Sequence, residues 1–230
     1  MKIKYIIGCA VALATLGVAQ AHAASVTVIH GINGLDLGAT RELPVDIAVN
    51  GTCSLKGVKF TQSARVTLGK GSYRITVHPS DGACSASAVI DQTVTIDEQT
   101  EKASLSIVAS LKSSGTPTLA VYNNTVAAVA VGVRHAALAP AVYVKFAVSR
   151  YPSQRPTRIK NGGDGALFAA WDSLIDYRIT ISTSPSRGVL ARRSGKVRSS
   201  RTVWRYYYVV GSLKNGLQIV QQDITKAELS

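Results

Sequence analysis

The residues that usually carry chemistry are scarce in this sequence. Only 3 cysteines and 4 histidines occur in 230 residues. There is no G-x-S-x-G, no H-E-x-x-H and no phosphate-cradling glycine loop, which removes the common signatures of serine hydrolases, zinc peptidases and nucleotide-binding enzymes. Gly162-Gly163-Asp164-Gly165 offers one carboxylate, too few for a calcium loop. A metal or redox pair is poorly provided for, because Cys53 and Cys84 are far apart in the chain and no histidines cluster. A catalytic histidine needs a nucleophile and an orienting acid beside it. Asp46 is the one acid that a paired strand brings near His30, and it reads better as a turn or edge hydrogen-bonder. No catalytic residue, metal or cofactor is expected. Two further absences bear on architecture: no apolar run reaches the roughly 20 residues of an ordinary membrane span, and no helical period runs through the chain.

The longest apolar run, Tyr5 to Val18, follows Lys2 and Lys4 and precedes Ala21-His22-Ala23. A short positive segment, an apolar stretch and an A-x-A site together read as a signal peptide, residues 1–23, cut after Ala23. Ile6-Ile7-Gly8-Cys9 also looks like a lipobox, and a lipid on Cys9 is the alternative, the only route by which a membrane contact is expected. Export makes the periplasm or the extracellular space the place of work. Cys53 and Cys84 then remain in an oxidising compartment and are expected to pair. Closing that loop stabilises by roughly 3–4 kcal/mol in the chain-entropy model.

Residues 24–230 contain an internal repeat. "VTVIHG" at 26–31 matches "VGVRHA" at 131–136, which sets His30 against His135 at an offset of 105. "GSYRITVHPS" at 71–80 matches "IDYRITISTS" at 175–184 at an offset of 104. Pairing Leu111-Lys112 with Leu213-Lys214 gives 102. His30 and His135 therefore fall in separate units, each hydrogen-bonding at the end of a first strand. Within each copy the apolar residues alternate: Tyr73, Ile75 and Val77 face one way, as do Tyr177, Ile179 and Ile181. Asn50-Gly51, Gly69-Lys70-Gly71, Ser80-Asp81-Gly82, Asn161-Gly162-Gly163 and Asn215-Gly216 punctuate the runs as turns. The pattern predicts an all-β chain of two tandem antiparallel β-sandwich domains, residues 24–122 and 123–230.

The opening "VTVIHGINGLDLGATRELPVDIAVNG" at 26–51 resembles that of a secreted bacterial family, domain of unknown function 4397, whose members begin V-x-V-x-H and continue to P-x-V-D-V-Y-V-x-G. Pro44-Val45-Asp46-Ile47-Ala48-Val49-Asn50-Gly51 carries the second motif, and Leu68, Gly71, Tyr73, Ile75 and Val77 carry a later L-x-x-G-x-Y-x-I-x-V. In the second copy His135 and Pro140-Ala141-Val142 survive, but Tyr143 stands where the first copy has Asp46. The resemblance implies a transthyretin-like or immunoglobulin-like sandwich in an exported protein, and it implies no activity.

The segment "RTVWRYYYVVGSLKNG" at 201–216 places aromatics on both faces of one strand. At the offset of 102, Tyr207 and Val209 match Leu105 and Ile107 and point into the core. Trp204, Tyr206 and Tyr208 match Lys102, Ser104 and Ser106 and point outward. Such a stripe is covered by the other domain, a loop or a second subunit, or it is a platform for a ligand, or else the registration is in error or the strand is a two-sided core strand. Charge is equally one-sided: residues 24–117 carry 8 Lys+Arg and 8 Asp+Glu, residues 118–230 carry 16 and 5. The cations gather in Arg150, Arg155, Arg158 and Lys160, and in Arg187, Arg192, Arg193, Lys196, Arg198, Arg201 and Arg205. These observations point to an exported, non-enzymatic binding or structural module. It would meet a protein or glycan surface through the second domain at Trp204, Tyr206, Tyr208, Arg198, Arg201 and Arg205. The alternatives are an electrostatic binder of a polyanion, such as lipopolysaccharide, acidic polysaccharide or extracellular DNA, and an enzyme built around His30 and Asp46. Export and the want of a nucleic-acid motif argue against a dedicated nucleic-acid role.

Overall fold

A computed structural model describes residues 24–97, 104–124, 131–148, 154–163, 165, 167–168, 174–198 and 203–225. The first half supplies β1 (Ala24–His30), β2 (Val45–Val49), β3 (Thr52–Val58), β4 (Ser63–Leu68), β5 (Gly71–Pro79), β6 (Ile90–Ile96), β7 (Ser104–Leu111) and β8 (Pro117–Asn124). The second supplies β9 (Val131–His135), β10 (Ala141–Val148), β11 (Thr157–Lys160), β12 (Leu167–Phe168), β13 (Leu174–Ser182), β14 (Val189–Arg198), β15 (Val203–Ser212) and β16 (Gly216–Thr225). The only helical segment among the described residues is a 3-10 turn at Gly34–Leu37. The fold is all-β, as the alternation predicts.

The strands form four sheets, in the orders β3-β2-β5-β6, β4-β1-β7-β8, β12-β9-β15-β16 and β11-β10-β13-β14. We call these the first to fourth sheets. The second half repeats the first strand for strand, including its one parallel pairing, β1 with β7 in the first and β9 with β15 in the second. Local sequence explains several of the joints. Asn50 and Gly51 both take positive φ, 49° and 81°, which a two-residue hairpin between β2 and β3 requires. In β5, Ile75 and Val77 are buried while Arg74 is exposed, and β13 repeats this with Ile179 and Ile181 against Arg178.

Three apolar clusters hold the layers together. The first and second sheets enclose one around Val26, Ile47, Ile75, Val77, Leu105 and Ile107. The third and fourth sheets enclose its counterpart around Val133, Val144, Phe146, Ile179, Tyr207 and Val209. The remaining cluster joins the halves: Ile29, Phe60, Val108 and Tyr122 from the first meet Trp204, Tyr206, Tyr208, Val210 and Ile224 from the second. The order of layers is therefore first, second, third and fourth sheet, with the second and third packed back to back.

The ladders revise the alignment of the last strands. Val26 lies opposite Leu105 and its repeat mate Val131 lies opposite Arg205, so β7 and β15 align at an offset of 100 rather than 102. A slip of two residues returns each side chain to the same face. Tyr207 and Val209 point into their own sandwich, and Trp204, Tyr206 and Tyr208 point away from it, as expected.

Candidate functional site

The outward stripe is not open to a ligand. Trp204, Tyr206 and Tyr208 are 9%, 1% and 0% exposed, because the second sheet covers them. This corrects the expectation of an aromatic platform, and its cause lies in β7. Ser104 and Ser106, which look like a water-facing row, are themselves buried. Small side chains leave room for the bulky rings of the third sheet, and Ser106 accepts from the Tyr208 hydroxyl at 2.7 Å. Asn124 Nδ2 donates to the Ser106 hydroxyl at 2.7 Å and to the Tyr208 hydroxyl at 2.8 Å. Ser106 donates to Gln222 Oε1 at 2.6 Å, and Gln222 Nε2 donates to Thr27 Oγ1 at 2.7 Å. Burial pushes the Tyr208 hydroxyl up to about 12, which keeps it a donor at neutral pH. The Arg134 guanidinium lies 5.7 Å from the Tyr122 ring centre and 5.3 Å from that of Tyr206.

The three cations proposed beside the stripe fare differently. Arg205 is tied to Asp223 by a fork, Nε to Oδ1 at 2.6 Å and one terminal nitrogen to Oδ2 at 2.7 Å. That carboxylate raises the arginine further above its ordinary value and neutralises it, so Arg205 is a structural residue, which corrects its assignment to a ligand. Arg201 lies outside the described residues. Arg198 closes β14 opposite Leu174 in the backbone ladder.

His30 and His135 do the same work in separate halves. His30 Nε2 bonds the Leu43 carbonyl at 2.8 Å, and His135 Nε2 bonds the Ala139 carbonyl at 3.1 Å. In each, Nδ1 accepts from the backbone N–H two residues on, Ile32 or Ala137. Nε2 carries the proton in both rings, and each pins the loop that follows the first strand of its half. Burial lowers both, His135 to about 4. His30 and Asp46 share no hydrogen bond. Burial alone would raise the Asp46 carboxyl, but the Gly57 N–H, the Ser80 hydroxyl and the Gly82 and Asp81 N–H groups hold it below its ordinary value. Three of its four bonds fasten the loop after β5, and the fourth ties it to Gly57 on β3. Cys84, in that loop, is bonded to Cys53 on β3 with Cα atoms 5.7 Å apart, so the cluster of Asp46 and two sulfurs is a covalent staple rather than a set of metal ligands.

The outer face of the fourth sheet is different. Cross-strand partners set Lys145, Thr180 and Arg192 in one row and Ala147, Arg178 and Ser194 in the next. Strands lie about 4.8 Å apart, so Lys145 and Arg192 stand roughly 10 Å apart across Thr180, with Arg178 one row along. These six residues line an open concavity of about 630 Å³. Lys145, Arg178 and Arg192 are exposed, and no carboxylate among the described residues pairs with them. At the margin, Lys196 reaches Asp176 at 3.6 Å.

The first half shows what changed. Thr76 lies opposite Asp91, as its repeat mate Thr180 lies opposite Arg192. In the first half Asp91 takes a two-pronged bond from Arg74, with Nε to Oδ1 at 2.8 Å. In the second half Arg178 keeps the place of Arg74, but the acid has become Arg192. Charge counting marked Arg192 in the sequence and missed Arg178 and Lys145, because no local cluster contains them. The outward positions of the two "YRIT" strands and of their β6 and β14 neighbours, read side by side, carry the signal. Compared with known proteins, the chain matches no family model and no curated sequence. No helix among the described residues is long and apolar enough to cross a membrane.

Proposed function

We propose that this chain is an exported, non-enzymatic binding protein that holds a polyanion on the outer face of its fourth sheet. The observation that carries the reading is the charge reversal at Arg192. Where the first half neutralises its arginine, the second presents three exposed cations around small side chains, with no carboxylate among the described residues paired to them. The leader-like residues 1–23, the Cys53–Cys84 disulfide and the resemblance to domain of unknown function 4397 support export and a tandem pair of transthyretin-like or immunoglobulin-like domains. The burial of Trp204, Tyr206 and Tyr208 supports reading the charged face, rather than that stripe, as the contact surface. An exported polyanion binder meets lipopolysaccharide, acidic polysaccharide or extracellular DNA by field and counterion release.

The test is affinity for a polyanion between about 50 and 200 mM salt, where neutralising several anionic groups makes binding fall steeply. Arg178→Glu with Arg192→Glu should abolish most of the binding and flatten its salt dependence. Unchanged binding in that double variant would sink the proposal.

A further inference from the structure

We infer that the polyanion is an acidic polysaccharide, seated with a sugar ring against Tyr143; this rests on the charged-face reading above. Tyr143 lies on the same outer face of β10 as Lys145, because Val142, Val144 and Phe146 point into the core. It is partly exposed, and the ladder sets it beside exposed Arg158 on β11 and Ser182 on β13. The face thus continues from the three-cation concavity to an aromatic ring flanked by a fourth cation.

The first half has no such surface. Its counterpart of Tyr143 is Asp46, since Asp46 lies opposite His78 and Tyr143 opposite the repeat mate Ser182. Asp46 is fully buried under Ser80, Asp81 and Gly82, in a loop that the disulfide clamps. A carboxylate under a stapled loop closes the first face. A tyrosine opens the second.

The side chains on the open face select among polyanions. Thr180 and Ser194 offer hydroxyls between the cations, suited to a polymer rich in hydroxyl groups. Guanidinium forks at Arg178 and Arg192 accept carboxylates and phosphates alike, so the choice between them rests on the hydroxyls and the ring. One aromatic ring fits one sugar face, whereas single-stranded nucleic acid calls for a succession of stacking rings, and the row formed by Trp204, Tyr206 and Tyr208 is spent between the halves. The concavity carries no large apolar side chain to enter a lipid layer, its apolar member being Ala147.

The experiment compares polygalacturonate, oligothymidylate and phosphatidylglycerol vesicles as probes of the full chain, with neutral dextran as blank. Polygalacturonate should bind tightest. Tyr143→Ala should weaken it about five- to tenfold, the scale of one aromatic contact, with the salt slope unchanged because no charge is lost. Tyr143→Phe should bind like the parent, which also shows that the site tolerates substitution. Equal or tighter binding of oligothymidylate or vesicles, or no effect of Tyr143→Ala, overturns the polysaccharide assignment while the charged face stands. If no anionic probe responds to Arg178→Glu with Arg192→Glu, both readings fall.

Discussion

Replacing Tyr208 by phenylalanine removes one oxygen from the middle of the contact between the halves. The ring stays, so the packing in the shared apolar cluster stays with it. Three polar atoms lose a neighbour: Asn124 Nδ2 at 2.8 Å, Ser106 Oγ at 2.7 Å and Gln222 Oε1 at 2.8 Å. Ser106 still donates to Gln222 and still accepts from Asn124. The loss therefore falls on one hydrogen of the Asn124 amide, whose side chain is fully buried. An orphaned buried donor costs about 1–3 kcal/mol. For a chain of 230 residues, roughly 2 kcal/mol lowers the melting temperature by about 4–8 °C. Thermal and urea unfolding at pH 7 give the value, and a double-mutant cycle with Asn124→Ala isolates the pair. The double variant should cost clearly less than the sum of the singles, because removing both partners leaves no orphan. A loss under about 0.5 kcal/mol, or strict additivity in the cycle, would refute the assignment of Tyr208 as the polar centre of the interface.

Acid should weaken the fold through the buried histidines. His135 is held at about 4 in the folded protein against 6.5 for the free side chain, so the unfolded chain takes up the proton first. The contribution of its neutral form is full above pH 6.5, falls as pH drops and is exhausted below about 4, a change on the order of 3 kcal/mol; urea titrations across that window should show the slope, and His135→Phe should flatten it. Asp46→Ala strips four donors of their acceptor and should cost about 2–4 kcal/mol, read by denaturation together with faster proteolysis of the loop around Cys84. Gly31→Ala should destabilise by about 1–3 kcal/mol through overpacking, since a Cβ there meets the Ala109 carbonyl and a Val210 methyl at 2.9 Å each; a parent-like melting temperature would contradict the close approach of the halves at this point.

Much of the fold is written in short-range pattern. Alternation along "SYRITV" and "DYRITI" names the core side of β5 and β13, and Asn50-Gly51 names a tight hairpin. The expectation of an oxidising compartment pairs Cys53 with Cys84, as the structure does, and the repeat puts His30 and His135 in equal, separate posts. What pattern does not carry is the identity of the cover. A period of two tells which way Tyr206 points, not whether water or another sheet waits there. Ser104 and Ser106 mislead for the same reason: a serine reads as solvated, yet here its small size and its hydroxyl suit a buried seam against bulky phenols. The charged face escaped for a different reason. Lys145, Arg178 and Arg192 come from three strands and meet only through the ladder.

The parallel pairing of β1 with β7, and of β9 with β15, has a kinetic consequence. Synthesis delivers β1 long before its inner neighbour, so one edge waits bare through most of a half. The same delay recurs in the second half, and the seam of phenol rings closes only once β15 and β16 arrive. Topologies of high contact order fold slowly and leave adhesive edges uncovered on the way. Aggregation during folding should therefore concentrate in chains interrupted before Val203, whose third sheet still lacks the strand that pairs with β9.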